Sequence, residues 1–181
     1  EEVSPDEESL QPVPLAERSD FARKLSSGAF CTDLGRGDAI HTQSGATLTL
    51  RRVVGRGSFG EVWTTKEEKK KGRAGAKEGD DAKVVKLISM SPEAREESLC
   101  EVECLTRCSD CTHVLPLLDT GRTGPYMCMV MPLAPGGDGV SAMPLRDEDV
   151  ARVAVEVCLG LEHVHEKGVV HADVKPENVM F

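Results

Sequence analysis

Aromatic residues are scarce: one Trp, one Tyr and four Phe make up 3% of 181 residues. A packed core must therefore rest on Val, Leu, Ala and Met. Hydrophobic residues at 39% and charged residues at 29% lie near the averages of globular proteins, so such a core is expected. No run approaches the roughly 18 apolar residues that span a bilayer, and no secretory leader opens the chain. Basic charge is in deficit, with 22 Lys and Arg against 31 Asp and Glu and a net charge of −9. A chain this acidic repels phosphate backbones, so nucleic acid is not an expected partner. The one basic cluster, Lys66 to Lys77, is interleaved by Glu67 and Glu68 and followed by Glu78, which reads as a solvated loop.

The chain opens on Glu1 rather than Met, which points to a fragment or a processed product. Seven cysteines are an odd number. Cys100, Cys104 and Cys108 fall at i, i+4 spacing, with Cys111 and His113 just beyond. Zinc there would need four converging ligands. The simpler reading is reduced cysteines acting as small apolar residues on a helix, which suits a reducing, cytoplasmic compartment.

Composition divides the chain into an extension at 1–46, a first unit at 47–134 and a second at 135–181. The extension begins acidic and is punctuated by Pro5, Pro12 and Pro14, so it is expected to be partly disordered. Phe21, Leu25, Phe30 and Leu34 are expected to pack as a short helix against the body. Order is expected from Ala46. Strands are read from Thr47 to Val54, Glu61 to Thr65, Lys83 to Ser89, Val114 to Leu118 and Met127 to Met131. The aperiodic stretch Lys66 to Asp81 is a long loop. Ser91-Pro92 begins a helix that runs to about Arg107, with Leu99, Val102 and Leu105 on one stripe.

Pro135-Gly136-Gly137 marks the boundary between units. Beyond it, Val150, Val153, Ala154, Val157, Cys158, Leu161 and Val164 repeat at helical spacing, predicting a core-facing helix from Asp147 to about Lys167 that Gly168 ends. Val169-Val170 is expected as a short strand leading into His171.

Three segments carry chemistry. Gly55-Arg56-Gly57-Ser58-Phe59-Gly60 has the spacing G-x-G-x-x-G, which lets backbone N–H groups approach phosphate oxygens. The motif also fits a dinucleotide-binding turn, but that turn must open a helix. Here the β-branched run Glu61 to Thr65 follows directly, so the glycines turn a hairpin. Lys86 is a charged residue in the apolar strand Val84-Val85-Lys86-Leu87-Ile88 and can point at the same phosphates, with Glu101 on the next helix as its partner. The most specific segment is His171-Ala172-Asp173-Val174-Lys175-Pro176-Glu177-Asn178. Its proline stops a helix. Asp173 can accept a hydroxyl proton, Lys175 can neutralise phosphoryl charge, and Asn178 can ligate a metal.

With those segments in order, the chain resembles the eukaryotic protein kinase family from about Leu48 to Phe181. The resemblance implies an α+β fold: a small lobe of antiparallel sheet plus one helix, a hinge, and the start of a helical large lobe. It implies ATP and magnesium as cofactors and a protein as substrate, while the regulatory partner stays unknown. Gly55, Arg56, Gly57, Ser58, Phe59 and Gly60 would cover the phosphates, with Val54 and Val62 against adenine. Lys86, paired with Glu101, would hold the α and β phosphates. Met131 resembles the gatekeeper, and Ala134 a hinge residue that meets adenine through its backbone. Asp173 would orient and deprotonate the substrate hydroxyl, Lys175 would steady the phosphoryl group, and Asn178 would hold magnesium.

Lys175, two residues after Asp173, resembles the serine/threonine-specific form of the loop. Two departures stand out. Ala172 replaces the family's arginine, which implies activity independent of activation-loop phosphorylation. The sequence also stops at Phe181 without a D-F-G segment, so this chain alone is expected to transfer phosphate weakly or not at all. A nucleotide-binding scaffold without catalysis is the alternative, although it would more naturally lack the lysine or the aspartate. A dinucleotide oxidoreductase would need an acidic residue after the glycines at the end of a second parallel strand, and none is there.

Overall fold

The computed structural model describes residues 31–57, 60–67 and 83–181. Six strands form one antiparallel sheet: β1 (Ala39–His41), β2 (Thr47–Arg56), β3 (Gly60–Glu67), β4 (Lys83–Ser89), β5 (Asp119–Thr123) and β6 (Tyr126–Pro132), in the order β1-β2-β3-β4-β6-β5. Helix α1 (Pro92–Arg107) follows β4, helix α2 (Asp147–Glu166) follows β6, and a single 3₁₀ turn covers Pro176–Asn178. A bridge between Thr42 and Gly121 joins the two edge strands, β1 and β5, so the sheet curls toward closure and hides edges that would otherwise invite pairing.

Alternation along the strands decides the two faces. Leu48 and Leu50 from β2, Trp63 from β3, Val85 and Leu87 from β4, and Cys128 and Val130 from β6 turn inward and pack with Ile40 into one buried cluster. Each fully buried aliphatic side chain contributes about 1.5–3 kcal/mol. Few aromatics are needed because β-branched and straight aliphatic residues fill the pleated surface. On the other face the register places Val62 beside Lys86 and Lys86 beside Met129.

Order begins earlier than the expected Ala46. Ile40 is wholly buried, and Leu34 packs against the core cluster. Phe21, Leu25 and Phe30, and residues 68–82, lie outside the described residues, and Leu34 is in no helix. Two expected strands are corrected. Val114 to Leu118 has no regular structure, and the strand is the polar Asp119–Thr123, selected by pairing with β6 across the Gly124-Pro125 turn. Val169-Val170 likewise forms no strand, and Val170 is exposed.

Helix α1 starts at Pro92 as expected, although Ser91 makes no side-chain capping bond. On its stripe Val102 and Leu105 are half-buried, but Leu99 is exposed and Ser98 is buried instead, its hydroxyl donating to the Ser89 carbonyl. Helix α2 ends where Gly168 takes φ 70°, a conformation glycine adopts without strain. Three acidic residues in its first turn favour the helix dipole.

The expected core-facing stripe of α2 is only partly covered. Val164 is buried and Val153, Val157 and Leu161 are half-buried, while Val150, Ala154 and Cys158 are exposed. Among the described residues α2 meets the segment after α1, where its buried Gly160 approaches the His113 carbonyl. Asp110 in that segment binds Lys167 Nζ at 2.7 Å and His163 Nε2 at 2.9 Å. Lys167 first and His163 second hold its carboxyl down to about 2.

Candidate active site

The glycine segment forms a hairpin, not a helix start. Gly57 N–H donates to the Gly60 carbonyl at 2.9 Å, and Arg56 lies opposite Glu61 at its stem. Gly60 has to be glycine, because a Cβ there would stand 2.5 Å from the Leu87 carbonyl oxygen of β4. Ser58 and Phe59 lie outside the described residues. Val54 on β2 is exposed, and Val62 lies beside Lys86 in the ladder. Arg56 directs its side chain to Glu61 on the core face.

Lys86 Nζ binds both carboxylate oxygens of Glu101, at 2.6 and 2.8 Å. The pair ties β4 to α1 and fixes the ammonium on the face that carries Val62 and Met129. Met131 is buried opposite Val84 on β6. Ala134 follows the strand, its carbonyl accepting from Gly137 N–H at 3.2 Å. Its own N–H makes no hydrogen bond among the described residues, which leaves it open to an acceptor on a ligand.

The loop from His171 to Asn178 gathers three polar groups. Asp173 Oδ2 lies 2.9 Å from Lys175 Nζ. Asn178 Nδ2 donates to the Asp173 carbonyl at 2.7 Å and to its carboxylate at 3.0 Å. Lys175 first and Asn178 second hold the Asp173 carboxyl below its usual range, so it is ionised at neutral pH. The same contact raises Lys175. Asn178 Oδ1 has no hydrogen bond among the described residues, and a free amide carbonyl is the oxygen ligand that magnesium accepts. Ala172 sits at φ 60°, a left-handed conformation that costs an L-residue about 1–2 kcal/mol.

The end of the loop is clamped to the segment after β6. Gly136 N–H donates to the Phe181 carbonyl, Phe181 N–H to the Gly137 carbonyl, and Gly139 N–H to the Pro176 carbonyl, each at 2.9 Å. A Cβ on Gly139 would meet that Pro176 oxygen at 2.6 Å. Gly139→Ala is therefore expected to lower unfolding free energy by about 1–3 kcal/mol in urea titrations. A loss below about 0.5 kcal/mol, the ordinary surface range, would show that the clamp is not tight.

Sequence reasoning missed one buried group, Glu61, and its partner Thr32. Glu61 was legible by parity, since it is two residues before Trp63 and so shares its inward face, whereas Thr32 carried no such signal.

Residues 48–181 match the protein kinase domain family model. The chain belongs to the protein kinase family. Among its relatives, CBL-interacting protein kinase 4 of Oryza sativa subsp. japonica is 34% identical over 138 residues, covering 73% of this chain and 29% of the relative. The serine/threonine-protein kinase H1 homolog of Danio rerio is 30% identical over 142 residues, covering 75% and 31%. The chain thus spans about a third of the length of these curated kinases. A crystal structure of the Mycobacterium tuberculosis PknI kinase domain superposes with a TM-score of 0.55 at 24% identity, covering 74% of this chain and 54% of that one, and shows the fold. Kinases of this family use ATP and usually magnesium. Among the described residues no helix is long and apolar enough to cross a membrane.

Proposed function

We propose that this chain supplies the ATP-binding and catalytic-loop portion of a serine/threonine protein kinase, which transfers the γ-phosphoryl group of ATP to protein hydroxyls. The observation that carries the reading is the Asp173–Lys175–Asn178 cluster, held on a loop that is clamped at its far end.

Each group has a chemical reason for its place. Gly55, Gly57 and Gly60 keep side-chain bulk away from the hairpin so that phosphate oxygens can approach its backbone, and Lys86, steadied by Glu101, neutralises the charge on them. Val54, Val62 and Met131 supply apolar surface for adenine, and the open N–H of Ala134 supplies a donor. Asp173, ionised at neutral pH, accepts the proton of the attacking hydroxyl. Lys175 stabilises the negative charge on the transferring group. Magnesium, when bound, would offset charge on the phosphate oxygens, and Asn178 Oδ1 is the atom of this chain fitted to hold it.

The test is incubation of the full-length protein with magnesium and γ-labelled ATP beside a generic protein substrate, followed by phosphoamino-acid analysis. Label in phosphoserine and phosphothreonine is expected. No label above a heat-denatured control, despite ATP binding, would favour the non-catalytic scaffold. Label in phosphotyrosine alone would overturn the assignment of specificity from Lys175.

A further inference from the structure

Glu61 is a carboxylate with 1% exposure that none of the steps above uses. One of its oxygens accepts from Arg56 Nε at 2.7 Å. The other accepts from Thr32 Oγ1 at 2.8 Å, Thr32 N–H at 3.2 Å and Trp63 Nε1 at 3.3 Å. Burial alone pushes a carboxyl up, but the bonds from Arg56 and Thr32 outweigh it and hold Glu61 below its usual range, so the group is an anion at neutral pH.

All of this lies on the core face. The register sets Glu61 opposite Leu87 and Trp63 opposite Val85, while Val62 and Lys86 alternate to the other side. Glu61 and Thr32 therefore cannot touch a nucleotide bound against Lys86. Arg56 is different, because it stands between Gly55 and Gly57 and pairs with Glu61 across the stem of the hairpin. A cross-strand ion pair at that point fixes the two chains from which the glycine turn springs.

Thr32 lies before the residues 48–181 that match the kinase family. It is 5% exposed, and its neighbours tie the segment down. Asp33 N–H donates to Tyr126 Oη at 3.2 Å, Gly37 N–H to the Leu50 carbonyl at 2.9 Å, and Leu34 packs on the core.

We propose that Thr32 and Glu61 are positioning residues for nucleotide binding, holding Arg56 and with it the backbone of the glycine hairpin, so that a segment preceding the kinase match belongs to the nucleotide-binding machinery. The functional half of this statement rests on the ATP reading above. The structural half does not.

Two measurements on the full-length protein separate the halves. Amide hydrogen exchange without nucleotide reads the hairpin itself: Thr32→Val should speed exchange at Gly57 about tenfold, the scale of one lost bond to a charged acceptor, and leave Val85 unchanged. Steady-state kinetics read the function. Thr32→Val should raise KM for ATP about five- to tenfold with kcat and the KM for protein substrate unchanged, and Thr32→Ser should restore it. Arg56→Met should produce the same rise, and the double variant should be no worse than Arg56→Met alone, because Thr32 acts through Arg56.

Unchanged exchange at Gly57, or a KM for ATP that stays constant while the melting temperature falls, would reduce Thr32 to a packing role and overturn the proposal. Additive effects would show that Thr32 does not act through Arg56. Faster exchange at Gly57 in a protein that binds no ATP would sustain the positioning role and sink the nucleotide reading instead.

Discussion

Replacing Asp173 by Asn should lower kcat for phosphoryl transfer about a thousandfold, within the 10²–10⁴ range that a positioned base contributes. The change is isosteric and removes only the charge. Asn178 keeps its bond to the backbone carbonyl of residue 173, so the loop retains its shape. Asp173 and Lys175 are both exposed, and their ion pair lies in water, where such contacts add little stability. The melting temperature should therefore stay put. Affinity for ATP should stay within about twofold, since the carboxylate is assigned to the hydroxyl substrate and not to the nucleotide. A variant that kept transfer within tenfold of the parent would remove Asp173 from the chemistry. A variant that lost activity together with its folded state would say nothing of proton transfer, which is why the melting curve accompanies the assay.

The acid limb of the pH profile follows from the same contacts. Because Lys175 and Asn178 lower the carboxyl of Asp173, the base is ionised throughout the neutral range and loses its charge only as pH falls through that lowered value.

The second large effect belongs to Lys86. Lys86→Met removes the cation assigned to phosphate and leaves Glu101 without its partner. Loss of one preorganised charge-stabilising group lowers catalysis by about 10²–10³-fold, and kcat/KM should fall by that amount, with ATP affinity falling too. The side chains of Lys86 and Glu101 are 25% and 40% exposed, so water screens the charge left behind. The expected stability loss is below about 1 kcal/mol, unlike that of a fully buried pair. Glu101→Gln should be milder, about tenfold, because the ammonium stays while its aim is lost. Equal and severe losses of stability in both variants, read from urea unfolding, would mean that the pair chiefly holds α1 on the sheet.

Much of this was legible in the sequence because local rules and tertiary demands agreed. Lys83 to Ser89 carries β-branched and apolar bulk at Val84, Val85, Leu87 and Ile88, so pattern and structure coincide from end to end. Pro92 after Ser91 marked the helix start, whereas Pro176, expected to stop a helix, opens a single 3₁₀ turn that holds Asn178 and leaves Asp173 and Lys175 in irregular backbone before it. The failures come where pairing overrides composition. Val114 to Leu118 is apolar but contains Pro116, which cannot donate to a ladder, while Asp119–Thr123 is polar and becomes a strand because β6 folds back on it. Strand β1 is too short to show a period, and its place depends on Thr42 meeting Gly121 far along the chain. The Glu61 cluster was hidden for a similar reason. Its partners span Thr32 to Trp63, and although parity with Trp63 turns Glu61 inward, nothing local names Thr32 as its partner.

The claim at the centre of this account is that the glycine hairpin, Lys86 and the catalytic loop serve one nucleotide. Calorimetric titration of magnesium and ATP into the full-length protein, and into its Lys86→Met and Asp173→Asn variants, tests it most directly. One molecule of ATP should bind to the parent and to Asp173→Asn with nearly equal affinity, and to Lys86→Met at least about tenfold more weakly, the worth of a lost charge-assisted contact. Equal binding to all three proteins, or none to the parent, would contradict it.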